Sequence, residues 1–218
     1  MNKYLILRLQ GVMQTWGGHT YEDYRPTNLF PTRSGLVGLL GACLGIDRDD
    51  QEGLRSLSDS FIFAVRLDKS EHQMRVLTDF HTVLEARRVS GKAGEHPVVS
   101  RREYLCDVCF TVALEFGHEA AFGMDRIIEA LKRPYYTPSL GRRSCPITRP
   151  LFDCIVEEDS LIDALSKIEP YAGTIYSETA EGSPNRLIVR DVPIFNGRRQ
   201  FATRPVFIHP QGGGNVPK

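Results

Sequence analysis

No apolar run in the chain approaches the roughly 20 residues that cross a bilayer, and the first segment, Tyr4-Leu-Ile-Leu-Arg-Leu9, reads as a strand, not a signal peptide. No membrane association and a cytoplasmic location are therefore expected. Lysine is scarce: 6 of the 27 basic residues are Lys and 21 are Arg. Net charge is lacking altogether, because 27 acids match the 27 bases. A zero sum argues against a general, sequence-blind polyanion binder. The arginine excess points the other way, toward bidentate phosphate contacts and stacking on bases. A disulfide framework is excluded in turn, since five cysteines are an odd number spread along apolar segments, as expected for reduced, buried thiols. Cys106 and Cys109 form a C-x-x-C inside a strand-like segment, where positions three apart face opposite ways. Nothing completes a four-ligand set around them, so no metal is expected.

The hydrophobic fraction of 41% over 218 residues is enough for one large domain or two small ones, each with a real core. After the first strand comes a polar, aromatic loop over residues 10–31, too long to be mere connection. Thr32 or Ser34 can cap a glycine-rich helix over 35–44 that stops at Gly45 and is expected to pack close to a sheet. A short helix is expected over 51–57, and strands over 61–67, 76–84 and 104–116. Residues 85–103 carry Arg87, Arg88, Lys92, Arg101 and Arg102 with little to bury, and read as a projecting arm. Asp125 can cap a helix over 126–132 that Pro134 ends, and a strand follows over 151–156. An amphipathic helix over 159–168 and a late strand over 186–194 come next. From Gln211 a Gly/Pro tail is expected to be flexible.

Leaving out the arm, residues 1–156 read β-α-β-β-α-β. The expected class is thus α+β, a ferredoxin-like or RNA-recognition-motif plan with an inserted thumb hairpin at about 85–103. Residues 157–210 form a small β-rich extension packed on it, and 211–218 the tail. Such a plan hosts many functions and by itself names none.

Charge is segregated along the chain. Residues 126–149 sum to +5 and 186–204 to +4, while 153–181 sum to −7. With a screening length of about 8 Å at physiological salt, a phosphate on a basic face scarcely feels distant acids.

No nucleophile elbow, Walker loop, dinucleotide fingerprint or H-E-x-x-H occurs. His81 is the candidate general base of a metal-independent ribonuclease, with Tyr104 at the other root of the arm. The competing reading of His81 is an ordinary hydrogen-bonded strand residue. The sharper signal is Leu140-Gly-Arg-Arg-Ser-Cys-Pro146: Gly141 permits close approach of backbone amides to a phosphate, Arg142 and Arg143 supply forks, and Ser144 adds a hydroxyl. The loop from Gln14 to Arg25 offers Trp16 for base stacking, with a core plug as the alternative. Arg33 and Ser34 stand where the N-terminus of the glycine-rich helix favours an anion.

Several blocks carry a resemblance: Met13-Gln-Thr-Trp-Gly17, Arg25-Pro-Thr27, Phe30-Pro-Thr-Arg-Ser-Gly-Leu36, Gly38-Leu-Leu-Gly-Ala-Cys-Leu-Gly-Ile46, Arg102-Glu-Tyr-Leu-Cys-Asp107, Tyr136-Thr-Pro-Ser-Leu-Gly-Arg-Arg-Ser-Cys-Pro146 and Gln200-Phe-Ala-Thr-Arg204. Together they resemble the CasD family, a branch of the RAMP superfamily found in the type I-E CRISPR surveillance complex, Cascade. The resemblance implies a modified RNA-recognition-motif fold with a thumb, and a non-catalytic, RNA-binding role capping the crRNA 5′ handle in antiviral defence. It implies as partners the CasC-type backbone subunit, the large PAM-reading CasA-type subunit and, through the complex, target DNA. Precursor cleavage belongs to another subunit in this family, although type I-C relatives cleave the precursor themselves. No cofactor is implied. The expected RNA contacts are Gln14, Trp16, Arg25, Arg33, Ser34, Arg87, Arg88, Lys92, Arg101, Arg102, Tyr104, Gly141, Arg142, Arg143 and Ser144. A metal-independent endoribonuclease and a protein-only adaptor remain the alternatives.

Overall fold

The computed structural model describes all residues except 19, 21, 71–73, 86–95, 184, 197–198 and 212–218. Its elements in chain order are β1 (Asn2–Gln10), the two-residue strands β2 (Met13–Gln14), β3 (Trp16–Gly17), β4 (Tyr24–Arg25) and β5 (Thr27–Asn28), then helices α1 (Arg33–Leu44) and α2 (Gln51–Asp59). There follow β6 (Phe61–Asp68), β7 (Arg75–Val83), β8 (Val98–Cys106), β9 (Cys109–Phe116), α3 (Met124–Lys132), β10 (Phe152–Glu158), α4 (Leu161–Ser166), β11 (Gly173–Ser177), β12 (Arg186–Phe195) and β13 (Arg199–Gln211). It is a mixed α/β molecule made mostly of sheet. Among the described residues no helix is long and apolar enough to cross a membrane.

The main sheet has seven strands in the order β10-β1-β9-β6-β11-β13-β12, and every neighbouring pair is antiparallel. Its middle strands are apolar on both sides, as strands covered on both faces must be. On one face Leu5, Leu7, Leu9, Phe63, Val65, Val112 and Leu114 pack with Leu36 and Leu40 of α1 and Ile127 and Leu131 of α3. Local signals place α1 as the sequence suggests. Thr32 caps it, accepting from the Gly35 amide, and Gly45 ends it in the left-handed region at φ 75°.

The opposite face is covered by α4 over β1, β6 and β9. Tyr4, Ile6, Ala64 and Ala113 pack under Leu161, Ala164 and Leu165 of α4. Beside them Arg66, 0% exposed, donates to the carbonyls of Leu165, Ile168 and Glu169 at the C-terminal end of α4, and to Asp68 and Thr111. A guanidinium there satisfies carbonyls that a helix end leaves without partners, and it complements the helix dipole. Sheet surface that an open plan would leave for a ligand is therefore core.

The arm begins earlier than the sequence suggests. β7 and β8 pair over nine registered positions, from Arg75↔Cys106 to Val83↔Val98. This ribbon belongs to a separate small sheet with β2 and β4. The strand expected over 76–84 is thus one side of the ribbon, and the strand expected over 104–116 is two. Asp107, at φ 56°, breaks it and sends β8 to the small sheet and β9 to the large one. Residues 86–95 of the arm, with Arg87, Arg88 and Lys92, lie outside the described residues, as do 212–218 of the tail. Strands β11, β13 and β12 continue the main sheet beyond β6, so residues 173–211 share one sheet with the first half of the chain.

Candidate nucleic-acid interface

The small sheet builds the site. Along β8 the alternation of side chains puts Ser100, Arg102 and Tyr104 on one face and Arg101 and Glu103 on the other. β4 lies parallel to β8, with Tyr24 beside Arg101 and Arg25 beside Arg102. Glu103 ties the two strands together: it accepts from the Tyr24 hydroxyl and, at 3.0 Å, from the Thr27 amide. The hydrogen bond to that carboxylate holds the Tyr24 phenol above its ordinary pKa. Arg102 Nε donates to Ser100 Oγ at 3.0 Å. A recess of about 250 Å³ is lined by Arg25 of β4, Ser100 and Arg102 of β8 and Val83 of β7, with Glu22 and Asp23 at its side.

The loop after α3 closes on this sheet. Its buried anchors are Leu140 and Cys145, joined by the Leu140 N–H to Cys145 carbonyl bond at 2.8 Å. The Thr15 amide donates to the Leu140 carbonyl at 3.0 Å, so the loop is fastened directly beside β2. Gly141 has φ 94°, and a Cβ there would stand 1.8 Å from the Thr15 carbonyl oxygen; only glycine fits. The turn presents the two arginines differently. Arg142 points inward, with Nη1 on the Glu103 carbonyl at 3.1 Å, Nη2 on the Arg25 carbonyl at 3.3 Å, and its guanidinium 4.8 Å from the centre of the Tyr104 ring. Arg143 and Ser144 are exposed. Arg25, Arg101, Arg102, Arg142 and Arg143, far apart in sequence, thus gather at the root of the arm.

Other expected contacts lie elsewhere. Gln14 is buried, its Nε2 donating to the carbonyls of Leu9 and Val108 at 3.0 and 2.8 Å and its Oε1 accepting from Trp16 Nε1 at 3.2 Å. Trp16 is 1% exposed, in the core, and packs on Gly35 so closely that a Cβ there would be 2.8 Å from the ring. Its role as a stacking platform for RNA is corrected to that of a core plug whose polar tip is satisfied by Gln14. The anion site at the start of α1 is real but already filled. The Arg33 amide donates to Asp191 Oδ2 at 2.8 Å, and Arg204 grips the same carboxylate through Nε and Nη2 at 2.7 and 2.8 Å. Arg33 Nη1 in turn holds Glu178 at 2.6 Å. Ser34 is half-buried beside Thr32. A helix N-terminus attracts an anion, and β12 supplies one from inside the chain, so Arg33 and Ser34 are corrected to structural residues. Of the +4 block, Arg204 and its one acid, Asp191, go into this network.

Tyr104 is buried beneath Arg142. His81 Nδ1 lies 3.5 Å from Asp79, and its ladder partner is Ser100, four residues from Tyr104 and so about 13 Å along the strand. The base and phenol of a ribonuclease are not brought together. The thiols of Cys43 and Cys109 are pushed up to about 11 and about 12 by burial, which keeps both protonated and unreactive at neutral pH. Sequence reading missed Glu103, Tyr24 and Thr27 as the tie between β4 and β8. The only available signal was Glu103 standing between Arg102 and Tyr104.

The family model of CRISPR-associated protein (Cas_Cas5) matches residues 4–207. The CRISPR system Cascade subunit CasD of Escherichia coli (strain K12) is 47% identical over 223 residues, covering 99% of each chain. Among solved structures, a chain of a CRISPR RNA-guided surveillance complex superposes with a TM-score of 0.72 at 28% identity, covering 95% of this chain and 90% of that one. A crystal structure of a Cas protein gives 0.66 at 29% identity, covering 96% and 98%. The match spans nearly the whole chain, and the chain belongs to the Cas5 family of CRISPR-associated proteins.

Proposed function

We propose that this chain is a non-catalytic RNA-binding subunit of a Cascade-type surveillance complex that holds the 5′ handle of crRNA at the root of its thumb. The observation that carries the reading is the gathering of Arg25, Arg101, Arg102, Arg142 and Arg143 from three distant segments at the root of the arm. Single-stranded RNA suits such a site, because splayed bases offer faces to guanidinium planes and phosphates offer paired oxygens to their forks. The order β1-α1-β6-β9-α3-β10, with strands β10-β1-β9-β6 side by side, supports a ferredoxin-like RAMP plan carrying the thumb between its second and third strands. Since α4 and Arg66 fill one face and α1 and α3 the other, RNA is left to the small sheet and the loop. Arg87, Arg88 and Lys92, the other RNA contacts expected of the arm, lie outside the described residues. A CasC-type backbone subunit and a CasA-type large subunit are the neighbours it docks on in the cytoplasm, and target DNA reaches it only through the assembled complex. Similarity to the Escherichia coli Cascade subunit supports both this assembly and the absence of a catalytic role.

Co-expression with a CRISPR array and the other Cascade subunits, followed by mapping of RNA crosslinks, tests the reading. Crosslinks from the handle to residues 101–104 and 141–144 are expected. Crosslinks confined to other subunits, with guide loading unchanged when Arg143 and Arg102 are both replaced by Ala, would overturn it.

A further inference from the structure

Arg142 and Arg143 are adjacent, identical in chemistry and set on one turn, yet the chain uses them in opposite ways. Both terminal nitrogens of Arg142 are bonded to backbone carbonyls, one on β8 at Glu103 and one on β4 at Arg25. Its guanidinium carbon lies over the Tyr104 ring, 4.8 Å from the ring centre. A single side chain therefore joins three pieces: the loop after α3, the arm strand β8, and β4, which carries Arg25. The loop end of this link is rigid, because Gly141 sits against the Thr15 carbonyl and Leu140 and Cys145 are buried anchors. The arm end is rigid too, because Glu103 holds Tyr24 and the Thr27 amide.

We infer that Arg142 is a positioning residue, which fixes the root of the arm against the body so that Arg25, Arg102 and Arg143 present one aligned surface to RNA, and that it is not itself a phosphate ligand. The inference rests on the RNA-binding reading above and divides its labour. A guanidinium can bridge two carbonyls while lying flat on a ring; a lysine ammonium keeps the charge but has neither the fork nor the plane. Arg143, exposed at the tip, supplies its charge to phosphate.

The test uses the full-length chain and a fluorescein-labelled single-stranded RNA carrying the 5′ handle, with Kd measured over a series of salt concentrations. Arg143→Ala is expected to flatten the salt dependence by about 0.7 in slope, the loss of one phosphate contact. Arg142→Lys is expected to keep the parent slope and to weaken binding about tenfold, as lost preorganisation does. Parent affinity in Arg142→Lys would overturn the inference, since charge alone would then suffice. A second measurement needs no RNA: amide exchange at Arg101, whose N–H donates to the Asp23 carbonyl at 2.9 Å, and at Thr27, whose N–H donates to Glu103. Both amides should exchange faster in Arg142→Lys while those of β1 and β9 keep their rates. Unchanged exchange at the two root amides, or equal acceleration throughout the core, also refutes it. If the parent chain itself fails to bind the handle RNA, the function proposed above falls, and the exchange result still decides the role of Arg142.

Discussion

Gly141→Ala isolates the turn that seats the basic loop. At φ 94° an alanine pays the left-handed penalty of roughly 1–2 kcal/mol. The new Cβ would stand 1.8 Å from the Thr15 carbonyl oxygen, against the 3.0 Å below which real Cβ contacts essentially never fall, so the loop must retreat by more than 1 Å from backbone that cannot yield. Retreat of that size breaks the 3.0 Å bond from the Thr15 amide to the Leu140 carbonyl, at about 1 kcal/mol. The sum is about 2–3 kcal/mol. With a urea m-value of about 2 kcal/mol/M, the unfolding midpoint should fall by about 1–1.5 M. Gly38→Ala is the matched control: that glycine lies within α1 with nothing near its missing Cβ, so alanine there should stabilise by about 0.8–1 kcal/mol. Identical chemistry is thus expected to move the midpoint in opposite directions. Handle RNA binding should weaken in Gly141→Ala and stay unchanged in Gly38→Ala. A Gly141→Ala variant as stable as the parent would refute the packing argument, and one that is destabilised but binds RNA at parent affinity would refute the link between this turn and the site.

Asp191→Ala strips the carboxylate shared by the Arg33 amide and Arg204 from a buried position, and should cost about 3–5 kcal/mol in urea unfolding; a loss under 1 kcal/mol would show the network to be dispensable. Trp16 is the chain's single tryptophan and is buried, so its fluorescence should resist acrylamide and stay constant through an RNA titration; strong quenching by RNA would restore the stacking role. Burial raises the Cys43 thiol from 9.0 to about 11, so its contribution to stability is complete below pH 9 and is lost as the pH climbs toward 11, where the unfolded chain alone can ionise it. Cys43→Ala should therefore show a shallower fall in urea midpoint over that window than the parent, and an equal fall would disprove the assignment.

Elements governed by neighbours in sequence were legible. The apolar run of β1, the Thr32 cap and the Gly45 stop of α1 are local signals, and each stands where the residues say. The split between β8 and β9 was hidden because it occurs at Asp107, without the glycine that usually marks a left-handed turn. Strand alternation continues on either side, so nothing marks the change of sheet. Trp16 shows the complementary limit. An aromatic in a polar loop can face in or out, and only the hydrogen bond from its indole to Gln14 and its packing on Gly35 decide the matter. The start of α1 was correctly read as a place for an anion, while its occupant, Asp191, lies 158 residues away and is brought there by the β12 ribbon. Of the candidate site, the loop at Gly141 was visible as a motif. The joining of Arg25 to Arg102 depends on a parallel pairing, and that of Arg142 to Tyr104 on the docking of a distant loop, neither of which any periodicity encodes.

The neutral total charge acquires a physical meaning once each arginine has a place. Arg66, Arg8, Arg33 and Arg204 bond carboxylates and carbonyls inside the protein, and Arg149 pairs with Asp153 at 2.8 Å. A large part of the arginine excess is therefore spent on joining segments: α4 to the sheet through Arg66, α1 to the β12 ribbon through Arg33 and Arg204, the loop to the arm through Arg142. Lysine could not replace these, because each link needs several oxygens held at fixed angles by one planar group. The arginines proposed above to meet RNA are a different, more exposed set: Arg25, Arg101 and Arg143, with half-buried Arg102 beside them. Binding through so small a set would have a shallow salt dependence and would draw its selectivity from shape, from where the root of the arm is held. On that proposal the residue type that grips RNA is also the one that builds the frame for gripping it, and the rigidity of that frame is what would let a protein of zero net charge hold a polyanion at one place only.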